Sequence, residues 1–320
     1  MESLPLSWTS IQGITPVYRD IAIPFSRSRW ITWADIPVDY SLPMLHDDLT
    51  TSFPDGFMFR GCTPAMGSFF TKANCTTLRT GAEAVIDLHG LHMGMKSVRG
   101  SLVRGKRHGT VTEILLDEPN RRRFDQFRQE TKHAGKPQLQ HLFRDDPSHS
   151  CRCFVFQAHS GGWLGAITLS KRGRREMHTE LMLRHRHAPG DIMECLVSGI
   201  ADILKNEGEM EWSLGEVPFL MNQGPEEEIS PLERLMVSLV AELRHAYDYE
   251  GLYRFKNKFA PRWRPVMLCS SQEPTPLMLA GLSFAMGFTT LLLHQSLLLF
   301  RQWFIPPAET NNDLQASSGS

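Results

Sequence analysis

Lys256 and Lys258 lie two residues apart between Phe255 and Phe259. Read as an extended strand, the stretch alternates: Phe255, Asn257 and Phe259 fall on one side and the two lysines on the other. Two ammonium groups side by side repel, and the repulsion falls when an anion sits between them. The same pattern describes equally well a half-buried strand with solvated lysines. Pro261 and Pro265 are expected to stop the strand and keep the segment around Trp263 extended. A second basic group is Lys96, Arg99, Arg104, Lys106 and Arg107, set around Val98, Leu102 and Val103 at near-helical spacing. That is either a face for phosphates or an ordinary solvated helix, and Gly100 and Gly105 weaken the helix.

The chain that must position these groups has 320 residues, 41% hydrophobic and 22% charged, an ordinary globular composition sufficient for one large or two medium domains. Its net charge of -1 excludes a general polycation, so any nucleic-acid contact must come from a local patch. Cys62, Cys75, Cys151, Cys153, Cys195 and Cys269 form no CxxC pair and no zinc spacing, as expected of reduced thiols. The first residues hold no apolar run of the kind a signal peptide needs.

Arg29 to Ala34, Gly56 to Arg60 and Gly81 to Leu88 read as strands, with a short helix from Pro64 to Asn74. Thr110 to Leu116 is a strand after the basic helix. A helix from Asn120 to Ala134 would place Arg121, Arg122 and Arg123 in its first turn, the unfavourable end of the helix dipole. Strands over Arg152–Gln157, Gly162–Ser170 and Glu176–Arg184 lead to a helix that Asp191 can cap and Gly208 ends. A strand from Glu211 to Phe219 and a helix from Pro231 to Tyr247 precede the lysine strand. The order resembles that of GNAT-type acyltransferases, with free amides near Asp191 turned to the cleft. The Arg/Gln-x-x-Gly-x-Gly/Ala loop of acetyl-CoA enzymes is missing.

Three ordered motifs carry a more specific resemblance. Phe-Lys-x-Lys-Phe-x-Pro-x-Trp-x-Pro from Phe255, preceded by Tyr-x-Gly-Leu from Tyr249, resembles the C-terminal signature of the lysyl-phosphatidylglycerol synthases. Glu180 to Pro189 resembles that family's Asp-Leu-Met-Arg…Ala-Pro motif, and Ser213 to Phe219 its Leu-Gly-Met-Ala-Pro-Leu. Ala84 to Gly109 resembles it more weakly. The resemblance implies an α/β (α+β) fold of tandem GNAT-type acyltransferase lobes, the first truncated. On this division 1–25 is an irregular segment, 26–116 the truncated lobe, 117–270 the catalytic lobe, 271–306 a hydrophobic helix and 307–320 a disordered tail.

The resemblance also implies an aminoacyltransferase that moves an amino acid from aminoacyl-tRNA to a hydroxyl of a membrane lipid such as phosphatidylglycerol. The donor ester is already activated, so no metal or cofactor is required. Lys256 and Lys258 would contact phosphate or the developing oxyanion. Glu180, standing where the family has Asp, would hold the donor's α-ammonium or act as general base. Glu216, at a strand end on the same cleft, would be a second carboxylate, or else a solvated acid. Gly215 and Tyr249 belong to the substrate-side motifs. Aligned without a gap, the family Arg falls on Leu183, and Arg184 replaces it only if the strand bulges differently. Lys96, Arg99, Arg104, Lys106 and Arg107 would meet tRNA phosphates or anionic phospholipid headgroups.

Pro276 to Phe300 contains no Asp, Glu, Lys or Arg, and as one helix would reach roughly 36 Å, enough to cross a bilayer. Gly281 and Ala285 form a small-xxx-small pair suited to self-association. Arg262 and Arg264 precede the apolar run, which puts the catalytic lobes on the cytoplasmic side of a cell membrane. Two other readings fit the same chain: a GNAT-type acyltransferase with a thioester donor, and an inactive membrane-tethered interaction protein, which the Leu183 substitution would favour.

Overall fold

The computed structural model describes residues 3–90, 96–132, 134–144, 151–218, 220, 249–291, 293 and 296. Strands β1 (Thr9–Ile11), β2 (Val17–Ala22), β3 (Arg29–Pro37), β4 (Phe57–Cys62), β5 (Thr76–Asp87), β6 (Gly109–Ile114), β7 (Cys151–Ala158), β8 (Trp163–Lys171), β9 (Glu176–Arg184), β10 (Glu211–Pro218) and β11 (Arg262–Ser270) form one mixed sheet. Their order is β1-β3-β4-β11-β5-β10-β9-β8-β7-β6, with β2 on β3. The last strand in sequence lies inside the sheet, antiparallel to β4 on one side and to β5 on the other.

Helices α1 (Leu42–Ser52), α2 (Pro64–Lys72), α3 (Lys96–Gly105), α4 (Glu118–Gln129), α5 (Ile192–Asn206), α6 (Tyr249–Asn257) and α7 (Pro276–Ala285) cover its faces. Four of them start alike. Ser41, Thr63, Asp117 and Thr275 each accept a hydrogen bond from a backbone N–H in the first turn, with a proline at one of the first two helical positions. α4 thus begins before the arginine triplet, with Glu118 in its first turn. Arg121 to Arg123 lie beyond that turn, where Arg122 pairs with Glu118 and Arg123 stacks over Trp163. Asp191 precedes α5 without capping it, because its carboxylate is taken by Arg104 at 2.7 and 2.8 Å.

Phe154, Ile167, Leu169, Met177 and Trp212 meet α5 and Val98 of α3 on one face, while Cys153, Val155 and Ala166 meet Phe124 and Phe127 of α4 on the other. Alternation along the strands produces both cores. A Cβ on Gly105 would stand 2.0 Å from Cys195 Sγ, so glycine is what lets α3 close on α5. The glycine that weakens the helix by propensity serves its packing.

Two further sequence expectations fail. The lysine stretch is not a strand: residues 249–257 are helix α6, and β11 starts only at Arg262. Pro265 sits within β11, opposite Ala82 of β5, where β4 has not yet joined the other edge. The apolar tail is not one helix from 276 to 300. α7 ends at Ala285, Gly287 follows with φ +79°, and among the described residues no helix is long and apolar enough to cross a membrane. Met278 and Leu282 pack on Ile23, Trp30, Met58, Leu142 and Leu268, and a Cβ on Gly281 would lie 2.2 Å from the Pro24 carbonyl oxygen. The small residue is thus spent on a contact within the chain. The helix expected over 231–247 and the tail 307–320 lie outside the described residues.

Candidate functional site

β9 and β10 are parallel neighbours only over Glu176–His178 and Glu211–Ser213. Beyond that point β10 stays with β5 and β9 with β8, so the two strands part. Each is bulged where they separate. Between Ser213 and Glu216, β10 carries Leu214 and Gly215 against Ala84 alone, with Gly215 at φ +88°. Between Thr179 and Leu181, β9 carries Glu180 as an extra residue. A wedge bordered by Thr179 and Glu180 on one strand and by Gly215 and Glu216 on the other is the result.

Lys256 fills that wedge. It is 4% exposed, and its Nζ donates to the Glu216 carbonyl oxygen at 3.0 Å. α6 delivers it by anchoring Phe255 and the following Phe259 in the α5-side core, with the two rings 5.5 Å apart. A Cβ on Gly215 would lie 3.5 Å from Nζ, an ordinary contact, so glycine is required there by its φ of +88° and not by space. Burial pushes the Lys256 ammonium down to about 7, against Glu216 and Glu83, which favour its charged form, and with Arg60, which opposes it.

The surrounding charges are fixed in pairs. Glu216 accepts from Arg60 at 2.6 Å and from the Thr80 hydroxyl at 2.8 Å. Glu83, fully buried, accepts from Arg172, Arg264 and Ser213, each at 2.7 Å. Burial alone would raise the Glu83 carboxyl, but the two guanidiniums outweigh it and hold it near 2. Arg172 and Arg264 also bind Glu176, so two arginines and two glutamates close a buried network that ties β5, β9 and β11 together.

Of the candidate residues, Lys256, Gly215 and Glu216 come together at the wedge. Glu180 borders it, but its oxygens accept the Ser170 hydroxyl at 2.5 Å and the Arg144 backbone N–H at 3.0 Å. Lys258 goes elsewhere: two residues on in a helical turn it points away from Lys256 and pairs with Glu194 of α5 at 2.7 Å. β9 does bulge before Leu183, and Leu183 packs with α4 on one face while Arg184 follows Met182 to the other. Arg184 Nε is buried and has no partner among the described residues. Tyr249 opens α6, half-buried. Arg99, Arg104, Lys106 and Arg107 are exposed on or just after α3; Lys96 opens that helix, and its side chain lies outside the described residues.

Sequence reasoning passed over Arg60, Glu83, Arg172 and His178. Arg60, Glu83 and His178 sit on strands beside apolar residues, the one signal available for a buried polar group, whereas Arg172 lies in the charged turn after β8 and carries none. In chemical terms, the wedge offers an amine that titrates near neutrality at the end of a parted strand pair. Unprotonated it can take a proton from a hydroxyl, and protonated it can donate to an oxyanion.

The family described as "Phosphatidylglycerol lysyltransferase, C-terminal" matches residues 47–270. The lysylphosphatidylglycerol biosynthesis bifunctional protein LysX of Rhodococcus jostii (strain RHA1) is 25% identical over 246 residues, 72% of this chain and 22% of that protein. The chain therefore spans about a fifth of the length of such relatives. Among solved structures, L-PGS from Bacillus licheniformis aligns with TM-score 0.62 and 17% identity, covering 89% of this chain and 86% of that one. The C-terminal domain of a protein described as a lysylphosphatidylglycerol synthetase from Agrobacterium fabrum aligns with TM-score 0.64 and 20% identity, covering 86% and 85%. These likenesses establish the fold.

Proposed function

The chain belongs to the phosphatidylglycerol lysyltransferase C-terminal family, and from that premise we propose that it transfers an amino acid from aminoacyl-tRNA to a hydroxyl of a membrane lipid such as phosphatidylglycerol. The observation that carries the reading is Lys256, an amine driven toward neutrality at the parted ends of β9 and β10. In the proposed reaction neutral Lys256 takes the hydroxyl proton as the lipid oxygen attacks the aminoacyl carbonyl. The bond from that carbonyl to the tRNA ribose oxygen breaks, and Lys256 returns the proton to the leaving oxygen. Glu180 and Glu216 are poor candidates for the base, since their carboxylates already accept hydrogen bonds from neighbouring groups. Their part is to hold the two bulged strands, and Glu216 also turns its carbonyl to Lys256. The exposed basic residues of α3 and the turn after it supply contacts for tRNA phosphates or anionic headgroups. The chain works at the cytoplasmic face of the membrane in this proposal.

Lipid mass spectrometry of cells with and without the protein tests the reading. An aminoacylated lipid that appears with the wild type and is lost in Lys256→Ala is the expected result. Equal lipid profiles in all strains, with the protein present and folded, would overturn it.

A further inference from the structure

His178 ends the short parallel pairing of β9 with β10, opposite Ser213. Its imidazole is wholly buried, and neither ring nitrogen has a hydrogen-bond partner among the described residues. An unpaired buried polar group is costly, so a ring left this way needs a reason. Its orientation suggests one. Cε1, the atom between the two nitrogens, is 3.8 Å from the point where a Cβ on Gly215 would stand, and Lys256 Nζ is 3.5 Å from that same point. The carbon between the two ring nitrogens and the Lys256 amine therefore both border the space beside Gly215. Lys256 donates to the Glu216 carbonyl oxygen and has further N–H groups to place when protonated.

We propose, building on the aminoacyl-transfer reading above, that His178 is a positioning residue for Lys256. Its unprotonated ring nitrogen receives an N–H of the Lys256 ammonium across the space beside Gly215. The bond steadies the proton between its removal from the lipid hydroxyl and its delivery to the leaving ribose oxygen, and no net proton stays on either residue. The charges around the pair suit that role. Burial first, then Arg172, Arg60 and Lys256 itself, keep the imidazole uncharged, while Glu83 opposes them. Glu216 from β10 and Glu83 from β5 favour the Lys256 ammonium, and Arg60 from β4 opposes it.

The experiment is an NMR titration of the side-chain amines in protein carrying 15N-lysine, with Lys256 assigned from Lys256→Met. A hydrogen bond to the charged form favours it, so His178→Leu should lower the Lys256 midpoint by about half to one pH unit. The pH limb of the transfer rate should move by the same amount, and the plateau should fall about five-fold. His178→Gln, whose amide oxygen is an acceptor, should return both toward wild type. His178→Phe, which keeps the ring shape without a nitrogen, should reproduce His178→Leu and serves in its place if that variant fails to fold; Gly215 is left unchanged, because its φ of +88° strains any side chain. A Lys256 midpoint that stays at its wild-type value in folded His178→Leu or His178→Phe overturns the proposal. The titration does not depend on turnover. A wild type with no transfer activity but the expected midpoint shifts would sink the functional reading and leave this pairing standing.

Discussion

Lys256 costs the protein stability. Its ammonium is pushed from 10.5 in the free side chain to about 7 in the fold, so between those pH values the unfolded chain binds more protons than the folded one. Stability therefore rises with pH across that window, and below it the full penalty applies, on the order of 5 kcal/mol. Lys256→Met should melt several degrees higher than wild type at pH 6, with the gap closing toward pH 10, while transfer is lost. Melting curves across this range check it, and a lower melting temperature at pH 6 would make the lysine structural. Glu83 behaves in the opposite sense. Held near 2, it contributes stability that is present above its ordinary value of 4.5 and is lost as pH falls toward 2. Glu83→Gln leaves Arg172 and Arg264 facing a neutral amide and should destabilise by about 3–5 kcal/mol at pH 7, read as a denaturant midpoint.

At the scale of elements, the error over the lysine stretch is instructive. Phe255 and Phe259 are four residues apart, a spacing that puts them on one side of a strand and of a helix alike. Only the lysines distinguish the two, and a helical turn separates what a strand would align. The basic element α3 was legible, because Val98 and Leu102 have a core to meet although Val103 is exposed, but its charges are not equivalent. Arg104 is committed to Asp191, so Arg99, Lys106 and Arg107 are the better candidates for polyanion contact. Neutralising those three should flatten the salt dependence of binding to tRNA or anionic vesicles, measured as the slope of log affinity against log salt, more than Arg104→Gln does. In the tail, composition gave the apolar run but not its end, since Gly287 breaks the helix where the residues on both sides are apolar. Removing 276–320 should lower the melting temperature sharply, by uncovering Ile23, Trp30, Met58 and Leu268.

At the scale of the whole molecule, the family was readable because its motifs fall on the wedge: Glu180, Gly215 and Lys256 lie at its edges or within it. What escaped was everything that depends on long-range pairing. Arg60, Glu83 and His178 come from separate strands and Arg172 from the turn after β8, and they become neighbours only once β5 stands between β10 and β11. No spacing in the sequence marks them, because nothing local requires them to be near one another. Arg172 and Glu83 are 89 positions apart and meet with no exposure at all.

The place of β11 has a consequence for how the protein is made. A ribosome releases the chain from its first residue, yet the strand that joins β4 to β5 is the last of the eleven to emerge. At about 5–20 residues per second, the earlier strands wait for many seconds with two unfilled edges facing each other. Such edges are templates for pairing with other chains. Messages cut short before Arg262 should therefore yield insoluble product. Full-length chain diluted from denaturant should regain structure slowly, as expected where the defining contacts are the most distant in sequence. Cells that make this protein quickly would depend on chaperones to shield that slot until its last strand arrives.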